Sequence, residues 1–157
     1  MAKQTIDIGT VPNDDTGDEI RTSFDKCNDN FTELYTGTQF TFAMGIACSD
    51  VTSALTVGQK VAFDFPFDFV ATRVYATVTT APTDSALTID VEDEGTTILN
   101  AVVSISSGGY NAETSTFTGA ASSYALTKGD LVSIDIDQIG STIAGAGLIV
   151  FIEGYRT

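Results

Sequence analysis

The chain has 157 residues, a formal charge of −14 and no histidine, enough length for one cored domain plus an arm. The acidity is general: residues 1–37 carry eight acids against three bases, and residues 38–157 carry thirteen against four. Such a surface repels phosphate, which disfavours nucleic acid and anionic membrane as partners. No apolar run reaches the roughly eighteen residues a spanning helix needs, and no charged-then-apolar leader follows Met1, so neither insertion nor secretion is expected.

Without histidine, neutral-pH acid–base catalysis lacks its usual group, and a serine or cysteine nucleophile lacks its usual partner. No dinucleotide or P-loop fingerprint is present. Cys27 and Cys48 make neither a disulfide framework nor a zinc site, and are expected as reduced thiols. These absences point to a non-enzymatic protein without a cofactor. Abundant Thr, Ser, Ala, Val and Gly, with no Trp, is the usage of a β-rich domain with many short turns.

Met1 to Asp15 has little periodicity, and Gly9, Pro12 and Asn13 punctuate it as an extended arm ending in a turn. Such an arm either frays or is ordered by docking on a neighbour, with Ile6, Ile8, Val11 and Pro12 as its anchoring residues. A helix is predicted from about residue 17 to 35, roughly 28 Å long at 1.5 Å per residue. Thr16 and Glu19 form a capping box at its start, Asp18 and Glu19 place negative charge in its first turn, and Gly37 stops it. Ile20, Phe24, Cys27, Phe31 and Leu34 recur at alternating spacings of four and three, the period of a coiled-coil seam. The remaining faces carry Asp18, Arg21, Asp25, Lys26, Asp29, Asn30 and Glu33 and should meet water. Spacing alone admits two arrangements, a helix packed on its own domain or copies associated about the seam as a trimer.

After Gly37 the period switches to two. Gln39 to Ala47 alternates Phe40, Phe42, Met44 and Ile46, and Lys60 to Phe69 alternates Val61, Phe63, Phe65, Phe67 and Phe69. Pro66 lacks an N–H, which places this second strand at an edge or bulge. The phenylalanine ladder reads as a core rather than a sugar platform, since such platforms favour Trp and Tyr. Further strands are expected at Val70–Thr79, Leu87–Val91, Thr97–Ile105, Tyr124–Leu126, Asp130–Ile136 and Leu148–Tyr155, with a charged turn at Glu92–Gly95. About eight strands at these spacings predict an antiparallel β-sandwich, jelly-roll-like, over residues 38–157, preceded by the arm and one helix in residues 1–37. An immunoglobulin-like sandwich is the alternative, without its Cys and Trp pair. Asp90, Glu92, Asp93 and Glu94, and Asp135 with Asp137, could hold calcium only if two loops converge; their strand parity favours a solvated outer face.

Ile6 to Tyr35 resembles a segment of tailed-bacteriophage virion proteins, a loop of form I-x-x-G-x-x-P-N-D-G-T-G-D followed by L-R-x-A-F-x-K-x-N-x-N-F-x-E-L-Y. Gly9, Pro12, Asn13, Asp14, Thr16, Gly17, Asp18, Arg21, Phe24, Lys26, Asn28, Asn30, Phe31, Glu33, Leu34 and Tyr35 match it. Asp15 stands where Gly is usual, Ser23 where a small apolar residue is usual and Cys27 where an aliphatic one is. Phe65–Val91 and Leu126–Leu148 are more weakly similar to β-domains of phage structural proteins. The resemblance implies a virion part, assembled in the bacterial cytoplasm, with other virion proteins (major capsid protein or tail adaptor) as partners. With the seam period and the arm it implies a homotrimer, expected as a capsid decoration, cement or short head-fibre protein. The alternative is a tail-fibre or tail-adaptor component binding a host receptor such as a glycan, for which Tyr110 and Phe117 would have to be exposed.

Overall fold

The computed structural model describes residues 4–11, 15–37 and 41–157, with helix side chains described through Thr32, so Pro12 and the side chain of Leu34 lie outside it. Two compact units are present, Met1–Phe40 and Thr41–Thr157. The first contains one helix, α1 (Ile20–Gly37), and an extended segment before it. The helix begins three residues later than the caps suggested. Glu19 stands directly before it, its carbonyl accepting the Ser23 N–H at 2.9 Å, and Thr16 lies further back in the preceding turn. Asp18 and Glu19 therefore precede the first turn rather than occupy it.

In the second unit ten strands form two antiparallel sheets. They are β1 (Phe42–Ala47), β2 (Gly58–Asp64), β3 (Phe69–Thr77), β4 (Leu87–Asp93), β5 (Thr96–Thr97), β6 (Val103–Ile105), β7 (Asn111–Thr114), β8 (Tyr124–Leu126), β9 (Leu131–Gln138) and β10 (Ile149–Arg156). One sheet has the order β1-β10-β3-β7, with β8 also on β3; the other has the order β2-β9-β4-β5, with β6 also on β4. The pairs β1·β10, β2·β9 and β3·β8 are those of a long antiparallel ribbon whose successive strands fall in alternate sheets. That is the jelly-roll wrapping.

The inner strands form where apolar residues alternate, and they bury that parity between the sheets. Phe69, Ala71, Val74 and Ala76 of β3, Leu87, Ile89 and Val91 of β4, and Val150 and Ile152 of β10 are 1% exposed or less. In β3 the inward parity shifts between Ala71 and Val74, because Thr72 is an extra residue opposite the Glu153–Gly154 step.

The single strand expected over Lys60–Phe69 is two. β2 ends at Asp64 and β3 begins at Phe69, each in a different sheet. Pro66 lies in the crossing between them. A proline costs nothing there, because the chain has left one ladder before joining the next. The expected return strand Thr97–Ile105 is likewise split into β5 and β6, and β7 falls between Ile105 and Tyr124, where no strand was expected.

The phenylalanine ladder nevertheless closes one end of the core. Phe65 and Phe69 are buried, Phe63 and Phe67 are partly so, and Phe65 meets Phe67 edge-on at 5.6 Å and Phe69 at 5.4 Å between ring centroids. The Arg156 guanidinium lies 4.7 Å from the centre of the Phe67 ring and covers the cluster. Truncating Phe65 removes one of the two fully enclosed rings of this cluster. Phe65→Ala is expected to lower unfolding free energy by about 3–5 kcal/mol, measured by urea denaturation; a loss under 1 kcal/mol would show that the cluster does not hold the sheets together.

Candidate assembly surfaces

In the first unit the extended segment lies back along α1, held by polar side chains expected to face water. Asp18 and Asp7 form a reciprocal pair: the Asp18 N–H donates to the Asp7 carbonyl at 2.8 Å, and the Asp7 N–H donates to Asp18 Oδ2 at 2.8 Å. Lys26 Nζ reaches the same Asp18 Oδ2 at 2.5 Å and also donates to the Thr5 carbonyl at 3.2 Å. Asn30 uses both ends of its amide on Gln4, accepting from its N–H and donating to its carbonyl, each at 2.9 Å. The Gln4 side chain adds a bond to Asp29 Oδ2 at 2.9 Å. A single asparagine thus stands in for a strand partner.

Gly17 is required by the same contact. A Cβ there would lie 2.9 Å from the Asp7 carbonyl oxygen and 2.9 Å from the Gly9 nitrogen, closer than side-chain carbons tolerate. Asp15, where the resembling segment has glycine, sits at φ 56°, a left-handed conformation that glycine adopts freely and aspartate tolerates. Gly17, Asp18, Lys26 and Asn30 all belong to the recurring motif. The readable signal was the Lys26–Asn30 spacing of four, which puts both on one helix stripe. The arm thus docks on its own helix, where fraying or ordering by a neighbour had been expected.

The helix therefore has two adjoining stripes. Ser23, Lys26, Cys27 and Asn30 are half-buried. Ile20, Phe24 and Phe31 of the expected seam are 78%, 65% and 57% exposed. Of the anchoring residues, Ile6 is half-buried while Ile8 and Val11 are exposed, and these two line an open depression with Gly17 and Ile20. Ile8, Val11 and Ile20 so extend the apolar seam around the start of the helix.

The two outer faces of the sandwich differ in chemistry. On the β2-β9-β4 sheet, Asp90 is paired across from Asp135, and Ser133 Oγ lies 3.2 Å from both Glu92 Oε2 and Asp135 Oδ2. Burial, then repulsion from Asp90 and Asp135, raises the Asp137 carboxyl above its ordinary value. No group of three or more such ligands among the described residues is arranged to hold a metal ion. On the β1-β10-β3 sheet the outer face carries Phe151 and Tyr75, ring centres 5.9 Å apart, with Arg73 gripping Glu153 through two nitrogens and Glu113 through a third. Burial pushes the Cys48 thiol up to about 11, so it is an inert core group; both cysteines are free. Of the loop aromatics, Tyr110 is 57% exposed and Phe117 is fully buried, stacked on Tyr124.

The Tyr124 hydroxyl donates to Asp93 Oδ2 at 3.0 Å, bridging the sheets, while buried Asp93 Oδ1 finds no partner among the described residues. Burial raises the Asp93 carboxyl above its ordinary value, partly opposed by the Tyr124 bond. A carboxyl titrating higher when folded makes the protein more stable as pH falls through that value, with no further gain below the unfolded value of 3.8. Asp93→Asn should flatten this rise without loss of stability at pH 7, read from urea midpoints between pH 4 and 8. An unchanged profile would remove Asp93 as its source.

Asp18 behaves oppositely: the Lys26 bond first, and the Asp7 N–H second, lower its pKa from 3.8. The contribution is complete above pH 3.8 and is lost as the pH falls through the lower folded value. Asp18→Asn is expected to speed amide exchange at Gln4 and Asp7 by roughly tenfold or more; unchanged exchange would mean that the arm is held elsewhere. No family model matches this chain, and no curated protein matches it.

Proposed function

We propose that the protein is a non-enzymatic structural component of a tailed-phage virion, a homotrimeric capsid decoration, cement or short head-fibre protein. The observation that carries this reading is the exposed apolar seam of Ile20, Phe24 and Phe31, extended by Ile8 and Val11. Three large apolar side chains open to water along one helix stripe form a patch of the kind that marks an interaction surface. The 3.5-residue spacing suits copies of the same helix. The arm bonded to the helix through the motif residues supports a preformed docking element, which binds without first paying the ordering entropy of a loose tail.

Such a clamp works by burying area across subunit boundaries and needs no catalytic group. Capsid or tail-adaptor protein is its second partner, and the acidic β2-β9-β4 face is the one suited to solvent. The tail-fibre reading keeps one favourable feature, exposed Tyr110, while buried Phe117 weighs against an aromatic receptor platform.

The test is the solution mass of the full chain, alone and as the Ile20→Asp, Phe24→Asp variant. A wild-type mass that is a multiple of three chains, lost in a variant with an unchanged circular dichroism spectrum, is expected. A wild type without any three-chain species would overturn the trimer.

A further inference from the structure

Sheet edges expose unpaired backbone groups, and folded proteins blunt them with charge, proline, bulges or brevity. Three of the four edge regions in this sandwich are treated that way. β2 carries Lys60 and an irregular register between Gln59 and Val61. β5 has two residues, and β7 and β8 have four and three. β1 is the exception: it ends its sheet, it is six residues long and regular against β10, and no charged residue or proline occurs from Thr41 to Ser49. In a chain of charge −14 this uncharged stretch is an outlier.

Its backbone groups can be placed. The Cys48 N–H donates to the Leu148 carbonyl at 2.9 Å, in register with the β1·β10 ladder. In an antiparallel pair, alternate residues turn both backbone groups toward the partner. Phe42, Met44 and Ile46 share that parity, so Ala43, Gly45 and Ala47 direct their N–H and C=O groups at the free edge. All three are exposed and small, and the Phe151 ring lies over Gly45, where a Cβ would meet it at 2.9 Å.

We propose that β1 is a second self-association edge, pairing antiparallel with β1 of another copy about a two-fold axis at Gly45. The sequence Ala43-Met44-Gly45-Ile46-Ala47 is nearly self-complementary in that register. Gly45 faces Gly45 of the second copy, Ala43 faces Ala47, and Met44 faces Ile46. The outward parity supplies about six backbone hydrogen bonds, and the small side chains admit the second strand without displacing Phe151. Met44 and Ile46, half-buried against the core on the other side, meet across the junction and extend the apolar layer. A two-fold edge contact is independent of the helix seam. Acting beside a three-fold contact, it would join one trimer to its neighbour, whereas the two-fold or the three-fold contact alone closes on itself.

The experiment uses the full chain carrying Ile20→Asp and Phe24→Asp, which isolates the edge from the seam. Sedimentation over rising protein concentration should show a two-chain species, and the Gly45 amide should exchange at least about tenfold more slowly as it forms. Adding Ala47→Lys, an exposed outward position, or Ala43→Pro, which removes only an edge-facing N–H, should return the mass to one chain and restore fast exchange. A seam variant that stays monomeric at every concentration would overturn the proposal. So would a dimer that Ala47→Lys and Ala43→Pro leave intact. Neither result bears on the trimer, which is read from the wild-type mass.

Discussion

The requirement that the inner strands hide one parity of their side chains between two sheets governs this protein, and a cluster of phenylalanines is where it is met most tightly. Phe63 lies in one sheet, Phe69 in the other, and Phe65 and Phe67 in the crossing between them. The crossing residues are as apolar as the strands they join, so the chain changes sheets without opening the core to water. Pro66 suits a segment that belongs to neither ladder. The later pairs, β2 with β9 and β1 with β10, depend on that crossing, because it decides which half of the ribbon lies in which sheet.

Electrostatics divides the surface that the core leaves outside. Acidic residues gather on the β2-β9-β4 face, where Asp90 and Asp135 are direct neighbours and add to the burial that raises the Asp137 pKa. Like charges at that spacing are tolerable only in water. On the other face, Arg73 pairs with both Glu153 and Glu113, and the edge beyond it is uncharged. A molecule of charge −14 can bring copies together only through surfaces where its own charge is absent or paired. The helix seam and β1 both meet that condition.

The helix unit solves a different problem, that of holding a short arm with almost no core. Hydrogen bonds from Asp18, Lys26 and Asn30 do what side-chain burial does in the sandwich. Each addresses backbone rather than side chain, so the arm's own sequence matters less than its path. Gly17 secures that path by leaving room for the Asp7–Gly9 backbone.

Much of this was legible in the chain itself. Alternation located most of the strands and the inward parity, and the four-three spacing located the helix and its apolar stripe. Local patterning suffices for these because period and burial are properties of neighbouring residues. The break at Pro66, the split of β5 from β6, the strand β7, the arm's contact with Lys26 and Asn30, and the exposure of β1 were decided by tertiary structure. Each depends on residues distant in sequence: alternation is the same whether a strand continues or changes sheets, and a polar helix position looks solvated until a backbone carbonyl is brought against it.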